Sequence, residues 1–286
     1  MRRSFLLLLA TLPLPACTVV PFAPQGAAQR IAGLTVAADQ AAGRMVDHLG
    51  QRERSEIDQA ASLRYAAGGA PNTNLPRPAT PVAGAVLDPG MDLMVLETRR
   101  LAALAAGAAP TEGQDGALAF SRVQDALAGL RAAPARWPSD AVRRRGLEGF
   151  RVLSEPAPQG MDAAGLAAAR QGAVEDATTL MQALVGFDAR SGLRGVLAQR
   201  HEAWQAAQRG VLASGRTLSP AERMALWNRV QAALAADGPD LPAAELVRLF
   251  AALPPAHAAA GAGDAAGAAS FEAALARFQG VLAQAR

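Results

Sequence analysis

The chain has 286 residues, with 28 basic against 25 acidic side chains, a single cysteine and a sequence pI near 10.2. All 28 basic residues are arginine, and without residues 1–16 the balance is 26 arginines against 25 acids, so the high pI reflects guanidinium chemistry and implies no nucleic-acid partner. The absence of lysine excludes a Walker A loop, a pyridoxal Schiff base and a Ser-x-x-Lys acylation site.

Arg2 and Arg3 precede Phe5 and the run Leu6 to Ala10, a charged segment followed by an apolar one too short to span a bilayer comfortably. That is the layout of a secretory signal peptide. The residues that follow, Leu14-Pro15-Ala16-Cys17, resemble the lipobox of bacterial lipoproteins, with Leu at −3, a small residue at −1 and Cys at +1; Pro15 departs from the usual residue at −2. The resemblance implies a signal peptide over 1–16, diacylation of the Cys17 thiol, cleavage after Ala16 and acylation of the new amino group with a palmitate-type chain. The membrane is then a partner through the lipid on Cys17, and residues 17–28 form a lipidated tether. Three acyl chains at about 0.8 kcal/mol per buried methylene make such an anchor effectively permanent. Thr18 stands where Asp would retain a lipoprotein at the inner membrane, which points to the periplasmic face of the outer membrane. The alternatives are an inner-membrane anchor and a plain signal peptide that releases the chain to the periplasm. Arg2-Arg3-Ser4-Phe5-Leu6 also resembles the twin-arginine core, although its n-region is very short.

Over 29–66, apolar side chains at Ile31, Leu34, Ala38, Ala41, Met45 and Leu49 keep the three-and-four spacing of one helical face, and the stripe weakens after Leu49. This predicts one long helix, either a spacer or a member of the bundle. Residues 67–90 carry five prolines and several glycines and read as a linker. From 91 to 253 a series of helices is expected. Met94, Leu101 and Leu104 mark the first, and Leu118, Val123, Leu127 and Leu130 the second. Ser139 caps a third with Val142, Leu147 and Phe150, ended by Pro156 and Pro158. Asp162 caps one bearing Leu166, Val174, Met181 and Leu184, and Leu193, Leu197, Trp204 and Val211 mark the next. Ser219-Pro220-Ala221-Glu222 is a capping box before Leu226, Val230 and Leu234, closed by Gly238-Pro239. Leu246, Leu249, Phe250 and Leu253 complete the series.

Residues 254–270, low in complexity, read as a flexible tether, and 271–286 as a C-terminal helix with Phe271, Leu275, Phe278 and Leu282. No strand-like alternation occurs. The expected fold class is therefore all-α, an antiparallel alanine-rich helical bundle with a long N-terminal helix. Alanine makes up 71 of the 286 residues, so the core is expected to be thin and to rest on the scattered Leu, Phe, Met and Trp side chains.

With Cys17 acylated there is no thiol nucleophile or thiolate metal site, and no Gly-x-Ser-x-Gly elbow occurs. His201-Glu202-Ala203-Trp204-Gln205 resembles the zincin motif His-Glu-x-x-His, but Gln205 stands where the second ligand belongs. His201 and Glu202 then read as a solvated helix face beside a buried Trp204. His48 and His257 stand alone and read as surface residues. No catalytic residue, metal site or cofactor is nominated. Arg143-Arg144-Arg145, with Arg136, Trp137 and Arg151 nearby, is the one local charge excess and a candidate contact for an anionic or acidic partner, against the plainer reading of a charged face turned to water.

Three function classes follow. The first is a non-enzymatic scaffold, assembly or interaction lipoprotein of the cell envelope, with an envelope protein or the cell wall as partner. The second is a carrier or sensor binding an apolar ligand between helices, for which Trp204, Trp227, Met181, Met224 and Phe187 are the candidate lining. The third is a cell-wall enzyme using a single glutamate acid, for which no motif nominates the glutamate.

Overall fold

The computed structural model describes residues 26–71, 73–110, 114–130, 137–235 and 238–284. Among them are ten α-helices and no strand: α1 (Ala27–Ala66), α2 (Thr80–Ala105), α3 (Asp115–Gly129), α4 (Asp140–Ser154), α5 (Ala163–Val185), α6 (Gly192–Ser214), α7 (Pro220–Leu234), α8 (Asp240–Ala251), α9 (Leu253–Ala262) and α10 (Ala265–Gln284). A 3-10 turn, Gly215–Thr217, joins α6 to α7. The chain is an all-α bundle, and no described helix is long and apolar enough to cross a membrane.

The stripe Ile31, Ala38, Ala41, Met45 and Leu49 is buried, and with 40 residues α1 extends about 60 Å. It is no free spacer. The helix α2 returns antiparallel along it, tied at one end by Gln29 Nε2, which donates to the Ala102 carbonyl at 3.2 Å, and at the other by Glu53. The helices α8, α9 and α10 pack on its other sides. A second central helix, α5, lies against α2, α4, α8 and α9. The core is filled by Phe150, Phe250, Phe271, Phe278, Met91 and Met181 among others, and the interfaces between are made by small residues. At Gly146 and Gly149 of α4, an added Cβ would run into Leu180 and into the Ala173 carbonyl of α5, so glycine sets how closely these two helices approach. The expected N-termini hold: Ser139 Oγ accepts from Val142 N–H, Asp162 Oδ1 from Gly165 N–H at 2.7 Å, and Ser219 with Glu222 forms the capping box.

Two segments depart from the sequence reading. Only 69–78 of the expected linker over 67–90 is non-helical, because α2 begins at Thr80 and runs straight through Pro89-Gly90. Pro81 sits in the first turn, where its missing N–H is one that a helix start leaves unpaired anyway. Pro89 removes only the bond to the carbonyl of Ala85, an exposed residue, and Gly90 leaves room for the Phe150 ring, 2.9 Å from where its Cβ would stand. The expected tether over 254–270 is likewise helical over most of its length, with one face in the core. Pro254 and Pro255 open α9, Ala256, Ala259 and Ala260 are buried, and Gly261 abuts Ala167 of α5. What reads as low complexity is a helix of small residues, ended by Gly263 in the left-handed conformation (φ +67°), which lets α10 start two residues later.

Beyond Glu56 the architecture thins. There α6 runs parallel to α1, with His201 beside Glu56 and Trp204 beside Gln59, and α7 folds back antiparallel on α6. The three helices share a small second core of Ala60, Trp204 and Ala207, flanked by Leu63 and Ala233. They form an arm on the main bundle.

Candidate functional site

Cys17 lies outside the described residues, as does Arg136. The other sequence candidates can be placed. Arg143, Arg144 and Arg145 lie in the first half of α4, whose opposite face buries Gly146, Gly149, Phe150 and Leu153. Arg143 is ion-paired with Asp140 one turn earlier. Arg144 and Arg145 are exposed and form no ion pair among the described residues. Arg151 is withdrawn from the group, because Glu148 (2.6 Å) and Glu155 both hold it. A shallow depression of about 360 Å³ lies beside Arg143 and Arg144, lined by Gln124, Leu127, Ala128 and Leu147. Trp137 is half-buried against the core, and its Nε1–H has no partner among the described residues.

The five residues proposed to line an apolar pocket do not converge. Met181 is in the main core beneath Gly90, Trp204 is in the core of the arm, and Phe187, Met224 and Trp227 are exposed. The carrier reading loses its site.

His201 is not on a solvated face. Its Nδ1 lies 2.9 Å from Glu56 Oε1, its Nε2 lies 3.0 Å from Gln205 Nε2, and its ring stacks on Trp204 at 5.3 Å. Trp204 Nε1–H donates to Gln59 Oε1 at 2.9 Å, and Arg52 Nε donates to Glu56 Oε1 at 3.0 Å. Both imidazole nitrogens are thus taken by side chains, and Gln205, read as a missing ligand, is the partner of one of them. Glu202 is exposed as expected. Among the described residues no group of three His, Cys, Asp or Glu side chains could hold a metal ion.

Two fully buried acids escape sequence reasoning. Glu97 of α2 is fully buried, and Arg170 Nη1 (2.6 Å), Arg100 Nη1 (3.4 Å) and His257 Nε2 (3.5 Å) surround it. Burial by itself pushes its carboxyl up, but His257 and Arg170 together hold it below the usual carboxylate range. The two arginines also collect main-chain oxygens at the end of α4: Arg100 takes Leu153 O at 2.6 Å, and Arg170 takes Glu155 O and Pro156 O at 2.8 and 2.7 Å. His257 Nδ1 meets Gln171 Oε1 at 2.9 Å, so the lone histidine of the supposed tether is a core residue at 2 % exposure. The cluster joins α2, α5, α9 and the end of α4. Glu53 of α1, also fully buried, caps α2. Nothing in the spacing of Glu53, Glu97 or His257 distinguishes them from surface residues.

A groove of about 380 Å³ runs between α1 and α2, with Ala42, Val46, Leu87 and Met91 in its lining and Asp39, Asp47 and Asp88 on its rim. Burial, with Asp92 and Asp88 beside it, pushes the Asp39 carboxyl up to about 6, against the opposing pull of Arg99. Neither a protein-family model, nor a curated protein, nor a solved structure matches the chain.

Proposed function

We propose that the chain is a lipid-anchored protein of the cell envelope, held at the periplasmic face of the outer membrane by acylated Cys17 and acting as a scaffold, assembly or interaction protein without chemistry of its own. The lipobox-like Leu14-Pro15-Ala16-Cys17 behind a short apolar segment carries this reading. It has a geometric consequence for α1. Nine residues separate Cys17 from Ala27 and span at most about 35 Å, so an anchored chain keeps the first turn of α1 near the bilayer. The arm then lies toward the far end of a helix about 60 Å long, where α6 and α7 face other envelope components.

Mass spectrometry of the N-terminal peptide and fractionation of wild type and Cys17→Ser test the anchor. A diacylglyceryl-modified Cys17 in the outer-membrane fraction is expected, with Cys17→Ser in the soluble periplasmic fraction and its helical circular dichroism unchanged. An unmodified Cys17, or a Cys17→Ser chain that stays on the membrane in high salt, overturns the reading.

A further inference from the structure

The helix α7 buries a single side chain, Val230. Met224 (61 % exposed) and Trp227 (50 %) stand three residues apart on one face and touch no apolar partner that covers them. Between Arg209 and Arg229 there are four arginines and one acid, Glu222, and that acid is engaged in its own capping box. Arg216, Arg223 and Arg229 are exposed and form no ion pair among the described residues. Arg223 lies one turn before Trp227 on the same side of α7, and Arg216 in the turn just before the helix, whereas Arg229 points to the opposite side, about 200° around the helix from Trp227. The face of Met224 and Trp227 therefore combines large apolar side chains with the unneutralised charge of Arg223.

The α1–α2 groove is its complement in both respects. Its floor is apolar, none of its lining residues is basic, and Asp39, Asp47 and Asp88 form no ion pair among the described residues. It exists because Gly43 and Gly84 bring no side chain where the two helices meet; a Cβ at Gly84 would stand 2.8 Å from Val46. The two features do not meet within one molecule. The arm packs on α1 beyond Glu56, about 25 Å along the helix from Asp39, and α7 rests on α6 and the 3-10 turn.

We propose that the chain associates head to tail with a second copy of itself, α7 of one copy seating Met224 and Trp227 on the floor of the α1–α2 groove of the next, with Arg216 and Arg223 facing the acidic rim of Asp39, Asp47 and Asp88. Guanidinium groups suit carboxylates by their forked donors, and Met and Trp bring adaptable apolar surface to the floor. The contact is heterologous, so each pair leaves one free arm and one free groove, and the assembly extends as a chain or closes as a ring. It needs no lipid, so its failure and that of the anchor are separable.

The test is sedimentation of the full chain carrying Cys17→Ser, exported and purified without lipid. Association is expected at low salt, weakened at least about tenfold toward 1 M salt, where the screening length falls to about 3 Å. Arg216→Glu/Arg223→Glu and, separately, Asp47→Arg/Asp88→Arg should each be monomeric, and their equimolar mixture should recover association, because it unites the unaltered arm of one variant with the unaltered groove of the other and sets the glutamate arm against the arginine groove. Circular dichroism of each variant checks folding. A wild type that is monomeric at all salts overturns the proposal, as does a mixture that stays monomeric while both variants are folded. So does wild-type binding to phosphatidylglycerol vesicles lost only in the arm variant, with no self-association, which would give the arm to a membrane surface.

Discussion

The carboxylate of Glu53 accepts both the main-chain N–H and the hydroxyl of Thr80, at 2.9 and 2.8 Å, and also takes the Ala79 N–H at 2.8 Å. One buried side chain of α1 thereby satisfies donors that the start of α2 would otherwise leave unpaired, with its charge at the positive end of that helix. Glu53→Ala is expected to cost about 3 kcal/mol in urea unfolding, and Glu53→Gln about 2, because the amide turns a donor toward donors. Thr80→Val, which loses only the hydroxyl bond, should cost about 1 kcal/mol. Equal costs for all three would show that the cap is water-replaced.

Arg170 bridges Glu97 to two main-chain oxygens that follow α4, and both side chains are buried. Removing one member of such a buried pair leaves its partner charged and unpaired, so Arg170→Met should destabilise by about 3–5 kcal/mol. Glu97 is held below 4.5 in the folded chain, so its contribution is present above pH 4.5 and fades as pH falls through the depressed folded value. Glu97→Gln should accordingly be most costly at neutral pH and converge on wild type in acid. A cost independent of pH would remove the carboxylate charge from the account.

Asp39 titrates with the opposite sign. Its folded value of about 6 lies above the ordinary 3.8, so the folded state holds the proton more tightly, and stability declines as pH rises between those values. Asp39→Asn should match wild type below pH 3.8 and exceed it at pH 7 by about 1 kcal/mol, a figure discounted for the half-exposed site. Urea midpoints from pH 3.5 to pH 7 would show it, and a variant less stable than wild type at pH 7 would contradict the assignment.

Periodicity made the long helices legible. Ile31 to Leu49 gave α1 by their buried stripe alone, Leu166 to Leu184 gave α5 by a stripe together with the Asp162 cap, and the Ser219 capping box gave α7 although that helix buries only Val230. Proline and glycine misled where tertiary packing used them. Pro89-Gly90 reads as a break, yet Gly90 is the seat of the Phe150 ring, and Pro254-Pro255 reads as a tether although it is a helix start. The buried acids and His257 were illegible for another reason: apart from Arg100, one turn from Glu97, the partners described for them lie 26 to 160 residues away, and no local pattern reports burial at that range.

Limited proteolysis separates these readings. Elastase should cut within 69–78, where Ala70 and Leu75 are exposed outside any helix, and should spare 254–262, which is helical and partly buried. Early cleavage in both segments would restore the tether.

The final expectation concerns Arg143-Arg144-Arg145. Three cations in the first half of α4 oppose its N-terminal dipole, and among the described residues only Arg143 has a compensating partner, Asp140. Replacing all three by Gln should therefore leave the melting temperature within about 2 °C of wild type or raise it. Trp137 is the control. Half-buried against the core, it should cost about 2 kcal/mol on truncation to Ala, a fall of roughly 4–8 °C for a chain of this size. Recovery of partners from cross-linked envelopes should be unchanged by the triple replacement, because Arg144 and Arg145 are exposed and the depression beside Arg143 and Arg144 is shallow. If recovery instead falls while melting holds, and its salt dependence flattens, the cations of α4 hold a partner and are more than a charged face turned to water.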